Sequence, residues 1–324
     1  MSEPARSLPL RPLPPALRPG DRVQLVAASS ALADRERLDA GLSLMRSWGL
    51  EVIEGDGAQR RWGYLAGADP ARSADLQLQG DPAPALRACL RGGWGAARLL
   101  EAQPALGDGW LLGFSDVTSL LWAQLAQGHR GAIHGPLLTT LAAEPLWSQE
   151  RLRSLLFGDP LPPLAGRTWV PGRAQGPLLV GNLTVATHLL GTRHLPSLAG
   201  AVLILEDVGE APYRLDRLLT HWRLAGALQQ LAGIGFGNFQ HCEEPADPAE
   251  PIRSFTVEEV LRERTADLGI PVVAELAVGH APGNGALPLG VTACLEAGAD
   301  GNASLSLAPA APRLPRSDQT GWSA

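Results

Sequence analysis

R-V-Q-L-V-A-A-S-S (22–30) is a short apolar run that ends in two serines, a favourable helix N-cap region. After it, Leu38, Leu42 and Met45 recur at helical spacing over 34–48, and Gly49 stops the pattern. E-V-I (51–53) then reads as a second strand. Strand, helix and strand joined by short turns predict a parallel α/β sheet.

Outward from this unit, 70–78 reads as a helix and 84–90 as a short helix. R-G-G-W-G (91–95) is a backbone-exposing loop that leads into a helix over 96–101. W-L-L-G-F (110–114) is a strand with Ser115 at its C-terminal end, 117–127 a strong helix, and I-H-G-P (133–136) a strand end or turn. Residues 157–177 are dense in Pro and Gly with little periodicity, which predicts a crossover between two domains. Beyond it come a strand over 178–183 with a helix through 190, a strand over 201–205 and a helix over 214–231. A strand over 233–239, a helix over 257–268 and strands over 271–274 and 290–295 complete the second half. The Pro-rich residues 1–20 and the end, 311–324, read as loose. The expected division is 1–156, the linker 157–177, 178–310 and the tail 311–324.

A chain of 324 residues, 45% hydrophobic, fits about two packed domains. Its net charge of −6 and lack of a basic run argue against a nucleic-acid partner. No lysine occurs anywhere. That excludes a Walker A loop, a pyridoxal Schiff base and a Ser-x-x-Lys pair, because Arg does not deprotonate at usable pH. Cys89, Cys242 and Cys294 are scattered without a C-x-x-C, so no disulfide framework or zinc knuckle is suggested, and free thiols fit a reducing compartment. No apolar run reaches the length of a membrane span, and the first twenty residues lack a signal-peptide core. The expectation is a soluble, cytoplasmic protein.

Four segments carry chemistry. In G-F-S-D-V-T (113–118) a buried strand turns into a helix with Ser115 at the corner, where open α/β sheets place their ligands. The local pattern fits a nucleophile or a plain N-cap, and Val117 stands where the usual elbow has its second Gly. The 91–95 loop lets backbone N–H groups approach a ligand, or is simply a tight turn; Arg98 breaks the dinucleotide fingerprint. L-I-L-E-D-V-G-E (203–210) is an apolar strand that ends in Glu206, Asp207 and Glu210, three candidates to orient an imidazole or to face solvent. V-G-H-A-P (278–282) puts His280 in a loop, suited to catalysis or to solvation. The other histidines show no metal spacing and there is no H-E-x-x-H, so no metal or cofactor is expected. His241-Cys242 as a thiol pair carries little weight, since chain neighbours rarely face each other.

Together these segments resemble the LD-carboxypeptidases of the Ser-Glu-His type, the group of muramoyltetrapeptide carboxypeptidase and the microcin C self-immunity hydrolases. The resemblance rests on L-R-P-G-D-R-V-Q-L-V-A-A-S-S (17–30), R-G-G-W-G-A-A-R-L-L (91–100), G-F-S-D-V-T (113–118), L-I-L-E-D-V-G-E-A-P-Y-R-L-D-R-L-L (203–219), and G-H with P-L-G (279–290). It runs over about 17–297 in the right order. Ala28 replaces the usual Pro, Trp94 stands where Tyr is usual, and V-G-N-L (180–183) lacks the first Gly of a G-G-N-L pattern. The resemblance implies an N-terminal, Rossmann-like α/β domain bearing Ser115, a C-terminal β-rich α/β domain bearing Glu206 and His280, and a site between them. It implies Ser115 as nucleophile, His280 as base and Glu206 as triad acid. The backbone N–H of Asp116, with one from Gly92 or Gly93, would form the oxyanion hole.

The implied reaction removes a C-terminal D-amino acid from a small murein tetrapeptide. Arg91, Arg214 and Arg217 are candidates for the substrate carboxylate, with Glu210 as a further binding candidate. Homodimers occur in the family. One alternative is an immunity-type hydrolase of peptidyl or aminoacyl nucleotides, with Trp169 as a stacking aromatic. Another is a catalytically silent ligand-binding α/β protein.

Overall fold

The computed structural model describes residues 9–78, 80–244 and 254–308. The strands are β1 Arg22–Val26, β2 Glu51–Ile53, β3 Leu86–Cys89, β4 Trp110–Gly113, β5 Ala132–His134, β6 Leu164–Val170, β7 Gly172–Asn182, β8 Val202–Val208, β9 Gly233–Gln240, β10 Val272–Ala274, β11 Leu287–Pro288, β12 Thr292–Ala297 and β13 Asn302–Leu307. The helices are α1 Arg35–Ser47, α2 Asp69–Ala74, α3 Ala96–Leu99, α4 Thr118–Ala126, α5 Leu138–Leu141, α6 Leu146–Phe157, α7 Leu183–His188, α8 Pro212–Leu224 and α9 Val257–Thr265. Among them no helix is long and apolar enough to cross a membrane.

The strand–helix–strand unit forms as expected. Asp34 caps α1 by accepting the Arg37 N–H at 3.1 Å, and Leu38, Leu42 and Met45 form its buried face. A six-stranded sheet follows in the order β11-β5-β4-β3-β1-β2, parallel except for the edge strand β11. The other seven strands close a barrel, β10-β6-β13-β12-β7-β8-β9. This is the expected parallel-sheet α/β unit joined to a β-rich α/β unit.

Several local expectations are corrected. Residues 86–89 are not a helix but β3, a central strand buried on both faces. A four-residue run has no readable period, and tertiary pairing decides its form. The Pro/Gly-rich stretch 157–177 is not a simple crossover: most of it forms β6 and the start of β7. Its Gly residues suit barrel strands packed closely against neighbours, since a Cβ on Gly176 would lie 1.9 Å from the Gly200 carbonyl oxygen. The C-terminal half also returns to the first sheet, where Leu287 pairs with His134. Residues 9–20 are packed rather than loose. Leu13 and Leu17 are buried, the Leu17 N–H donates to the Leu156 carbonyl, and Trp110 Nε1 donates to the Pro15 carbonyl. Residues 1–8 and the expected tail at 311–324 lie outside the described residues.

The buried helix α4 joins the two halves. Every residue from Thr118 to Leu125 is buried. Trp122 Nε1 donates to the Val180 carbonyl of β7 at 2.9 Å, and its ring meets Trp222 of α8 edge-on. A buried Trp at such a junction is worth about 3–5 kcal/mol relative to Ala. Because α4 begins just after Ser115, this packing fixes the sheet edge against the barrel.

Candidate active site

Ser115 follows β4 in a single turn of 3₁₀ helix that continues into α4. Its φ of 62° is left-handed, a conformation that costs a non-Gly residue about 1–2 kcal/mol. Its Oγ lies 3.2 Å from His280 Nε2. On the other side of that ring, Nδ1 lies 2.6 Å from Glu206 Oε2. An ionised carboxylate can only accept, so Nδ1 carries the proton and Nε2 is left to accept the serine O–H. Phe114 packs edge-on to the imidazole at 4.8 Å between centroids.

Glu206 lies at the barrel's β8 and is fully buried. Burial pushes its carboxyl above the usual range, and the His280 hydrogen bond pulls it back. Asp207, next in the strand, is turned away. Its Oδ1 accepts from Asn182 Nδ2 at 2.9 Å and the Val208 N–H at 2.8 Å, and its Oδ2 accepts from the Thr184 N–H and hydroxyl at 2.9 and 2.8 Å. Glu210 stands 3.7 Å from Arg214. Of the three acids left open by the sequence, only Glu206 reaches His280. Gly279, at φ 120°, lets the histidine loop pass directly over it: a Cβ there would lie 2.9 Å from Glu206 Cβ.

Asn182 links these parts. Its backbone N–H donates to Thr118 Oγ1 at 3.1 Å at the start of α4, while its side chain reaches Asp207. The serine turn and the acid strand therefore share one buried residue.

A cleft of about 520 Å³ opens above the serine, lined among others by Arg37, Arg91, Gly92, Gly93, Thr140 and His280. Gly92 lies against Ser115, and Asp116 Oδ2 accepts the Ala96 N–H at 2.8 Å, which holds the glycine loop to the Ser115 turn. Arg91 is anchored by two carbonyls, Nη1 to Ala31 at 3.0 Å and Nε to Gly92 at 3.2 Å, and has no carboxylate partner among the described residues. Arg214 and Arg217 do not line this cleft; both stack over Tyr213. Trp169 packs on Phe236 with Arg262 over its ring, inside the barrel wall and away from the cleft. Arg37 was missed because an exposed arginine on the first turn of a helix carries no distinguishing pattern. Burial pushes the Cys242 thiol up to about 11, which keeps it protonated. Among the described residues no cluster of His, Cys, Asp and Glu is arranged to hold a metal ion.

Comparison with known proteins agrees with this architecture. The LD-carboxypeptidase N-terminal domain matches residues 23–135 and the C-terminal domain residues 175–295. A Synechocystis relative carrying a provisional carboxypeptidase name is 50% identical, over 89% of this chain and 94% of its own. The murein tetrapeptide carboxypeptidase of Pseudomonas aeruginosa is 37% identical, over 85% of this chain and 93% of its own. The crystal structure of muramoyltetrapeptide carboxypeptidase from Oxalobacter formigenes superposes with a TM-score of 0.76 at 26% identity, covering 88% of this chain and 99% of that one. With both halves matched in order and relatives aligned over most of their length, the chain belongs to the LD-carboxypeptidase family.

Proposed function

We propose that this protein is a serine LD-carboxypeptidase that hydrolyses the amide bond to the C-terminal D-amino acid of a murein tetrapeptide, with Ser115 as nucleophile, His280 as base and Glu206 as the acid that orients it. The observation that carries this reading is the unbroken chain from Ser115 Oγ through His280 to buried Glu206 at the floor of an open cleft. The substrate class is supported by the name of the Pseudomonas relative.

His280 Nε2 takes the Ser115 proton as Oγ attacks the scissile carbonyl. Glu206 holds the tautomer and stabilises the imidazolium. The N–H of Asp116, with that of Gly92 or Gly93, receives the developing oxyanion. His280 then protonates the leaving amine, and water hydrolyses the acyl-enzyme. In a carboxypeptidase substrate the free carboxylate sits one residue beyond the scissile bond, so its receptor must lie beside the oxyanion loop. Arg91 fits: it belongs to that loop, lines the cleft and has no counter-ion among the described residues. The three free cysteines fit a cytoplasmic location.

The test is mass spectrometry of products from a murein tetrapeptide beside an aminoacyl sulfamoyl adenylate. The wild type should release the terminal D-amino acid. Ser115→Ala should lose several orders of magnitude in rate at a stability cost of about 1 kcal/mol or less. Activity of Ser115→Ala above about a tenth of wild type, or cleavage of the adenylate alone, would overturn the reading.

A further inference from the structure

The loop that bears His280 is held from two sides: β9 holds its start, where the Asn238 N–H donates to the Val278 carbonyl at 2.8 Å, and a segment outside the barrel holds its end. Glu144, two residues before α6, and the first turns of that helix grip 283–286. Glu144 Oε2 accepts the N–H groups of Gly283 at 2.7 Å and Asn284 at 3.1 Å. Ser148 Oγ donates to the Asn284 carbonyl at 2.7 Å, and Arg151 Nε donates to the Ala286 carbonyl at 3.0 Å. Trp147 covers Gly283 so closely that a Cβ there would lie 2.8 Å from its ring. Inside the loop, Asn284 Oδ1 accepts the Gly279 N–H at 3.1 Å, immediately before His280. The chain of bonds therefore runs from Glu144 to Asn284 to Gly279 to the imidazole.

Glu144 is the unusual member. Its carboxylate is partly buried and makes no ion pair among the described residues; its side-chain partners are those two loop N–H groups. A desolvated carboxylate without a cation is a poor device for stability. It is a good device for geometry, because one oxygen at a set reach accepts two adjacent N–H groups and holds them to one point.

We propose that Glu144 is a positioning residue for His280, fixing the 279–284 loop so that Nε2 stays within reach of Ser115 Oγ. It acts through the backbone of the loop and touches neither Ser115 nor the imidazole in the hydrogen bonds described. The proposal rests on the triad reading above.

The test compares wild type, Glu144→Ala, Glu144→Asp and Glu144→Gln. The readouts are kcat and KM on the tetrapeptide, the rate at which a fluorophosphonate labels Ser115, and the thermal midpoint. A shift of about 1 Å in a catalytic group costs roughly a hundredfold, so Ala and Asp should lose roughly 10- to 100-fold in both kcat and labelling rate. KM should stay within about threefold, the mark of a lost transition-state interaction. Gln keeps a carbonyl oxygen at the same reach and should recover most of the loss. If Glu144→Ala does not fold, Glu144→Asp decides, since it keeps the charge and only withdraws the oxygen. Folded Ala or Asp variants reacting at the wild-type rate, a loss that Gln does not relieve, or an effect confined to KM would overturn the proposal. A wild type that the fluorophosphonate does not label would instead overturn the triad reading itself.

Discussion

Glu206→Gln removes one charge without changing the shape of the side chain, and its effect can be worked from the site. The carboxylate is fully buried and 2.6 Å from His280 Nδ1. As the serine proton moves to His280, an ion pair forms in a medium where water cannot screen it; the amide offers only a dipole. Orientation adds a second loss. A glutamine can also present its NH₂ to Nδ1, which moves the ring proton to Nε2, where it blocks the serine. The equivalent change in a serine-protease triad lowers kcat about ten-thousandfold. A loss of roughly 10³–10⁴ is expected here, about 4–5.5 kcal/mol of barrier. Asp207→Asn should behave oppositely. It faces four donor hydrogen bonds with a group that can accept only part of them, so about 1–3 kcal/mol of stability is lost while kcat changes by less than about tenfold. The assay is kcat at saturating tetrapeptide, with urea unfolding of each variant. Glu206→Gln retaining more than about a tenth of kcat, or a well-folded Asp207→Asn losing as much as Glu206→Gln, would refute the assignment of the acid.

Two further outcomes follow from close packing and burial. Gly92→Ala would place a Cβ 3.0 Å from Ser115 Cβ and 3.1 Å from its Oγ, so the Ser115 side chain must shift by a few tenths of an ångström; roughly tenfold lower kcat/KM with an intact fold is expected, and an unchanged value would show that the loop yields instead. His134 is fully buried, and burial, helped by the nearby charge of His280, lowers its pKa to about 3. Between about pH 6.5 and 5 the unfolded chain therefore binds a proton at this position that the folded chain refuses, so stability falls as pH falls, by about 2 kcal/mol over that window. His134→Leu should lose correspondingly less on acidification in urea titrations at the two pH values, and equal losses in both proteins would contradict the buried neutral histidine.

How much was legible depends on which physical signal each segment carries. The first strand–helix–strand unit was readable because α1 shows one apolar face and an Asp34 cap. β3 was read as a helix because Leu86, Ala88 and Cys89 form a run too short to show a period, with Arg87 buried among them. The barrel was hidden in 157–177 because its strands use Gly and Pro, which read as loop residues until their partners are known. The edge strand β11 has only two residues and exists through its pairing with β5. Ser115, Glu206 and His280 could be singled out for a different reason: Ser115 follows the end of β4, His280 lies in a loop, and the order of the three matches a known pattern, although β8 runs on to Val208 and Glu206 lies inside it rather than at its end. Distances could not be read, and neither could the grip of α6 on the histidine loop, because it joins residues about 140 positions apart.

Asp116 explains why the site needs both halves of its glycine-and-serine constellation. Its side chain is buried, and burial raises its proton affinity while the Ala96 N–H that it accepts lowers it. Ala96 opens α3 directly after the 91–95 loop, so the residue next to Ser115 holds the end of the loop that lies over it. The proposed oxyanion hole would draw on two separate segments and would work only if they cannot drift apart, since each donor must stay near 2.7–3.1 Å from the developing charge. A shared buried carboxylate meets that requirement better than apolar packing, because hydrogen bonds fix direction as well as contact. The same logic recurs at Asn182, which ties α4 to the acid strand, and at Glu144, which ties α6 to the histidine loop. At each of these joints a side chain from one segment holds the backbone of another, which is how residues far apart in sequence can keep ångström tolerances.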